Sequence, residues 1–293
     1  MKRSGAGIGR LSLVLAASAL SAAIAFGQAA PQQQAPQPGQ TPGQQQPNSA
    51  NPNAPLTLDT LAPPVNAEEE AALKNFHDVT PQDADKKDQA AEEFVQKYPL
   101  SRHLPEVYNW MVRSAYTRGQ IDKMEATADK ELAIYPNDPQ TLALVGTTLP
   151  RAMNASTPEP QKRLAKAEEY CQKALDILPT LPKPEGLTDE NFQQVKGETS
   201  SMAYSGLGLV AFRRGKYADA ISNLEKAVKA DPQHSDPVDY YVLGIADEKT
   251  SHFDDAVAAF NKCAEIPGKM QTPCTQGADE AKKMGATQLS APK

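Results

Sequence analysis

The sequence predicts an all-α fold built as a solenoid of antiparallel helix pairs, and three observations predict it. From Ala67 onward, apolar residues recur at helical spacing and Pro or Gly clusters interrupt them at short intervals. No stretch shows polar and apolar residues alternating between hairpin signals. A block of large and small residues that begins at Tyr204 begins again at Tyr240, a displacement of 36 residues. Composition agrees: of 293 residues, 40% are hydrophobic but only 6% aromatic, which suits close-packed helices better than a β-sandwich.

The amino terminus has the layout of a secretory signal peptide. Lys2, Arg3 and Arg10 give a positive start, and Leu11 to Phe26 is apolar without a charge. Ala25 and Gly27 stand at the −3 and −1 positions of a cut before Gln28, which makes residues 1–27 the predicted signal peptide. A cut after Ala29 and an uncleaved anchor are the competing readings. The run falls short of the roughly 20 residues a spanning helix needs. Cleavage removes three of 30 basic residues and none of 36 acidic ones, leaving 27 minus 36, or −9. An acidic balance with no long basic run argues against nucleic acid as a partner.

Residues 28–66 are dominated by Gln, Pro, Ala and Asn, with Asp59 as the single charged side chain. They predict a disordered linker of polyproline character, either a plain tether or a recognition segment. Helices follow. Thr80-Pro81 reads as a helix start that runs on to Tyr98, where Pro99 stops it; residues 67–99 make a half or whole repeat.

The repeat carries the most information. Tyr204, Leu207, Gly208 and Ala211 precede Ala220, Leu224, Ala227 and Pro232; Tyr240, Leu243, Gly244, Asp247, Ala256, Phe260 and Cys263 follow with the same internal spacing. Large residues fill the seam between two helices, and Gly208 and Ala220 are small where the backbones come closest. Gly215-Lys216-Tyr217 turns the chain, and Pro232 ends the second helix. This spacing resembles the tetratricopeptide repeat (TPR). The resemblance implies a right-handed TPR-type solenoid over residues 67–286 with a C-terminal capping helix near Thr272 to Met284, and a disordered tail at 287–293.

The close copies are 201–234 and 237–268. Degenerate copies stand at 105–138, where Val112 replaces the glycine and Glu131 the alanine, and at 139–182. In the latter an insertion containing Pro150, Pro158 and Pro160 must form a loop.

No catalytic or metal-ligand pattern is legible. His77, His103, His234 and His252 lie at separate helix ends or loops, no nucleophile elbow occurs, and no cofactor is implied. The glycines at 5, 7 and 9 sit inside the signal segment. The expected function is therefore protein binding rather than catalysis, outside the cytoplasm, in the periplasm or a secreted form. Two versions stand: a scaffold that takes a partner segment in a concave groove, and a structural component of an envelope assembly.

The resemblance places groove positions on the first helix of each repeat: Asn109, Arg113 and Tyr116, then Leu209, Phe212 and Arg213, then Tyr241, Ile245 and Lys249. TPR proteins that clamp a terminal carboxylate use lysine and asparagine at matching places, where this chain has Asn109, Arg113, Ser205 and Leu209, so that activity is not supported. Cys263 and Cys274 flank Pro267-Gly268 on helices that should fold back on each other, and oxidising surroundings favour a disulfide between them; Cys171 takes a core position and stays free.

Overall fold

The computed structural model describes residues 66–184 and 186–290. The expected signal peptide and all of the expected linker but Asn66 lie outside the described residues. Among those residues there is no strand, and no helix is long and apolar enough to cross a membrane. Eleven helices follow one another: α1 (Ala67–Asp78), α2 (Ala84–Lys97), α3 (Leu104–Thr117), α4 (Ile121–Ile134), α5 (Pro139–Ala152), α6 (Pro160–Ile177), α7 (Asp189–Arg213), α8 (Tyr217–Ala230), α9 (Pro237–Lys249), α10 (Phe253–Glu265) and α11 (Gln271–Ser290). Each odd-numbered helix from α1 to α9 packs on the even-numbered one after it, and each pair packs on the next, which is a TPR-type solenoid.

Local chemistry sets the helix starts. Asn66 caps α1 by accepting from the Glu68 N–H at 3.0 Å, so the last residue of the expected linker already belongs to the fold. Asp138, Thr188 and Asp236 cap α5, α7 and α9 in the same way. Thr80 makes no such bond; Pro81 to Asp83 form one 3₁₀ turn, and α2 proper begins three residues later than Pro81 suggests.

Inside each pair, a residue on the first helix faces one on the second. A Cβ placed on Gly208 would lie 2.6 Å from Leu224 Cγ, and one on Gly244 would lie 2.9 Å from the Phe260 ring. Side chains larger than hydrogen do not fit at these two places without displacing a buried neighbour. The turn after the first helix needs a left-handed residue, filled by Gly119 (φ 68°), Gly215 (φ 74°) and, in the last repeat, Ser251 (φ 64°).

Three boundaries differ from expectation. Pro150 is not in a loop: it is buried in the last turn of α5, and Pro160 opens α6, so the inserted loop shrinks to 153–159. A proline near a helix end forfeits one N–H bond, a cost the burial of its ring offsets. The tail does not begin at 287, because α11 runs on to Ser290 and the Thr287 hydroxyl donates to the Lys283 carbonyl at 2.8 Å. Finally, α1 and α2 make a complete helix pair, with Leu73, Phe76, Ala91 and Phe94 in one core cluster, so residues 67–99 are more than half a repeat.

At the other end α11 covers the last pair. Cys263 and Cys274 are joined in a disulfide with a Cα–Cα distance of 5.7 Å, while Cys171 is free and buried. A Cβ on Gly277 would lie 2.7 Å from the Phe260 ring, so Phe260 is held between Gly244 of α9 and Gly277 of α11.

Candidate partner-binding face

The first helices of four successive pairs, α3, α5, α7 and α9, make the face on which the groove residues were expected, and the structure separates those residues into three kinds. On α3, Arg113 is exposed; its Nε donates to Asn109 Oδ1 at 3.0 Å and its Nη2 to Gln140 Oε1 at 3.4 Å, which reaches across to α5. Tyr116 is half-buried against the core between α3 and α5. On α9, Lys249 is exposed, and Tyr241 and Ile245 are half-buried.

Phe212 and Tyr241 do two jobs at once. Phe212 meets the Tyr217 ring edge-on at 5.6 Å and Tyr241 meets Phe260 edge-on at 5.6 Å, so each anchors a core cluster while part of its ring stays in reach of solvent.

One of the predicted residues, Leu209, is not available, and another, Arg213, is exposed but already engaged. Leu209 is 4% exposed and packs with Leu224, Val242 and Leu243; α9 presses on α7 at this place and covers it. Arg213 turns its guanidinium to the end of α5, donating to the Pro150 carbonyl at 3.1 Å and the Met153 carbonyl at 3.0 Å. Carbonyls in the last turn of a helix have no partner within it, and Arg213 supplies one. Burial lowers its pKa.

The structure also brings together a polar group that sequence reasoning missed. Arg151 near the end of α5 forms ion pairs with Asp236 and with Asp239 (3.1 Å), and donates to Ser205 Oγ at 2.9 Å. Ser205 in turn donates to Asp239 Oδ1 at 2.6 Å. Ser205 and Asp239 are buried. Burial pushes the Asp236 carboxyl up, but the Arg151 charge and hydrogen bond outweigh it and leave it below the ordinary aspartate value. Burial pushes Asp239 up further than Arg151 brings it back. This cluster joins three successive first helices, α5, α7 and α9, at one level. A sign of it was present in the sequence: an arginine in the last turn of an otherwise uncharged helix, with the two aspartates of an Asp-Pro-Val-Asp helix start further on.

The neighbouring cluster at Glu131 is of another kind. Glu131 is fully buried, and the Thr141 hydroxyl donates to its two oxygens at 3.1 and 3.0 Å. Burial, with Asp138 beside it, pushes its carboxyl up to about 9, so it is a neutral acid at pH 7.

These pairs, with a small first-helix residue against a large second-helix one, a left-handed turn and a proline stop, recur most fully in α7–α8, and residues 201–234 match the family model described as tetratricopeptide repeat. Residues 201–234 are thus a tetratricopeptide repeat, set in an all-α solenoid of TPR type. No curated protein matches it in sequence. Among solved structures, this chain is similar to the type IV pilus biogenesis factor PilW (16% identity, 78% of this chain and 96% of that one, TM-score 0.48). It is similar also to TTC0263, a TPR protein of Thermus thermophilus (16%, 71% and 98%, TM-score 0.46), and to pilF of Pseudomonas aeruginosa (15%, 75% and 86%, TM-score 0.47).

Two clefts of the TPR surface lie elsewhere, between second helices. One of about 280 Å³ is lined by Val95, Tyr108, Met111, Lys123 and Lys130. Another of about 170 Å³ is lined by Leu207, Arg214, Lys216, Asn223 and Lys226.

Proposed function

We propose that this TPR protein is a scaffold or adaptor of the cell envelope or exterior, which holds a partner's segment along the face made by α3, α5, α7 and α9. TPR folds serve protein binding, and catalysis is not part of this reading. The observation that carries it is the row of half-buried Tyr116, Phe212, Tyr241 and Ile245, bordered by exposed Arg113 and Lys249. Apolar rings that keep an accessible edge, with cations beside them, suit a segment with apolar anchors and some negative charge. Leu209 is not part of this surface, and exposed Arg213 is tied to the end of α5.

Export rests on two supports. The amino-terminal layout is that of a cleaved signal, and the Cys263–Cys274 disulfide suits an oxidising compartment. In this reading residues 28–65 tether the solenoid at a distance from whatever holds the amino terminus.

Chemical crosslinking in the native cell, with mass spectrometry of the captured peptides, tests the proposal. Crosslinks from a partner to Lys249 or Tyr116 support it. Crosslinks confined to the second-helix side support the other reading, a structural component of an envelope assembly. The two clefts between second helices favour that alternative, since both are edged by lysine and the larger is floored by Val95 and Met111.

A further inference from the structure

Helix α7 is much longer than the helix it pairs with, and residues ahead of Gly197 run past the end of α8. At the crossing the backbones nearly touch. A Cβ on Gly197 would lie 2.9 Å from the Ala230 carbonyl oxygen, and one turn later Ser201 Oγ donates to the Ala227 carbonyl at 2.9 Å. That approach sets Glu198 beside the C-terminus of α8 and the loop after it.

Asp231, the cap residue of α8, and His234 lie in that loop. One donor atom from each of Glu198, Asp231 and His234 falls within 4.8 Å of the other two. His234 Nδ1 is 3.1 Å from Asp231 Oδ1, and the His234 N–H donates to the same oxygen at 3.2 Å. The loop is thus already folded around the aspartate.

Charge suits the place to a cation. Two carboxylates stand at the negative end of a helix dipole. Among the described residues, neither has a lysine or arginine ion pair; His234 is the only basic group paired with Asp231. Glu125 and Asp236, by contrast, are matched by Arg163, Lys166 or Arg151, while buried Glu131 lacks a cation as these two do.

We infer that Glu198, Asp231 and His234 form a site for a divalent cation of the zinc class. One neutral imidazole and two carboxylates are a donor set that zinc accepts, with water completing the sphere. Donor atoms around a tetrahedral ion stand about 3.3 Å apart. His234 and Asp231 are close to that separation, so only the half-exposed Glu198 side chain has to swing inward. Magnesium and calcium prefer oxygen alone, and the imidazole disfavours them. A bound ion would tie the overhanging part of α7 to the end of α8. This goes beyond the binding-face reading and does not depend on it.

The test uses the full chain stripped of metal by a chelator. Zn²⁺ alone is titrated in competition with a chromogenic chelator, and Ca²⁺ is titrated in parallel. One saturable equivalent of Zn²⁺ is expected, weakened at least tenfold by Glu198→Gln, abolished by His234→Ala and unchanged by His252→Ala. Metal-free melts of the variants should match the parent, which separates lost binding from lost fold. No saturable Zn²⁺ binding, binding indifferent to His234→Ala, or preference for Ca²⁺ would overturn the assignment.

Discussion

The pairs α3–α4 and α7–α8 solve one packing problem in opposite ways. In α7–α8 the first helix supplies nothing, Gly208, and the second supplies bulk, Leu224. In α3–α4 the bulk has moved across: Val112 stands where Gly208 does, and Ala128 stands where Leu224 does, both fully buried in one cluster. Two other pairs, α9–α10 and α5–α6, also put glycine on the first helix, with Gly244 against Phe260 and Gly146 against Cys171. Between α3–α4 and α7–α8 the summed side chain at the contact is the same, four carbons, and only its division between the helices differs. A pattern that scores positions singly reads 105–138 as a copy that has lost its small residues, whereas packing reads it as a swapped one.

The largest effect should come from filling the gap in a regular pair. Gly244→Leu puts a side chain into the Phe260 ring, which Gly277 also confines from α11, and should cost about 3 kcal/mol or more in a denaturant titration. Adding Phe260→Ala should return part of that loss, although Phe260→Ala alone is destabilising. A double-mutant cycle reads the coupling directly. The same cycle on Val112→Gly and Ala128→Leu asks whether the swapped pair can be swapped back. If the double variant is no better than the sum of the singles, the volume-complementation account of α3–α4 fails.

The second difference between the regions is electrostatic. Where Ala227 and Cys263 pack in the regular copies, the degenerate one buries Glu131. Its carboxyl is pushed up to about 9 by burial and by Asp138, above the ordinary value of 4.5 that the unfolded chain keeps. Below about pH 4.5 both states carry the proton and Glu131 contributes no pH dependence. Between there and pH 9 the unfolded state releases the proton and the folded state does not, so stability falls as pH rises, and above 9 the loss is complete. Glu131→Gln keeps the shape and an acceptor for Thr141, and should flatten that slope while stabilising the protein at pH 7 by about 2 kcal/mol. Melting temperatures from pH 5 to 9 for both proteins check it; equal slopes would mean that Glu131 ionises inside the fold.

Much of this architecture was legible in advance because it depends on short-range regularities. Helical periodicity, the proline stops and the recurrence from Tyr204 to Tyr240 each report a local requirement. What escaped was set by neighbours far along the chain. Leu209 has the register of a groove residue, but α9 lies over it. Arg213 is exposed as a rim cation should be, but its bonds to the carbonyls left at the end of α5 could not be read from its own register. Pro150 reads as a loop residue because its cost as a helix residue is local and its burial is not. Glu198 precedes Asp231 by most of a repeat, and only the Gly197 contact brings them together.

A smaller effect tests the turns, where the regular region is the less regular one. Ser251 occupies the left-handed position that Gly119 and Gly215 hold in other repeats, at φ 64°. A side chain there carries a cost of about 1 kcal/mol that glycine avoids, partly offset by the extra freedom glycine gives the unfolded chain. Ser251→Gly should therefore raise stability by about 0.5 kcal/mol, seen as a small rise in melting temperature. Gly215→Ser should lower it by a similar amount.

The smallest effect on stability should accompany the largest effect on binding, and it distinguishes the two regions as binding surfaces. Arg113 belongs to the degenerate half of the proposed face and Lys249 to the regular half. Both are exposed, and the contacts of Arg113 are with the side chains of Asn109 and Gln140. Reversing either charge, Arg113→Glu or Lys249→Glu, should change stability by less than about 0.5 kcal/mol, as is usual for surface positions. Truncating Phe212 or Tyr241 is a poorer probe, because their rings also hold Tyr217 and Phe260 and their loss would mix binding with folding. If an acidic segment with apolar anchors lies along the whole row, each reversal weakens capture of a crosslink-identified partner roughly fivefold or more, and the pair together more than either. If the partner uses only one half, one reversal is silent. Should both be silent while the melts stay unchanged, the first-helix face is not where the partner sits, and the clefts between second helices become the surface to mutate next.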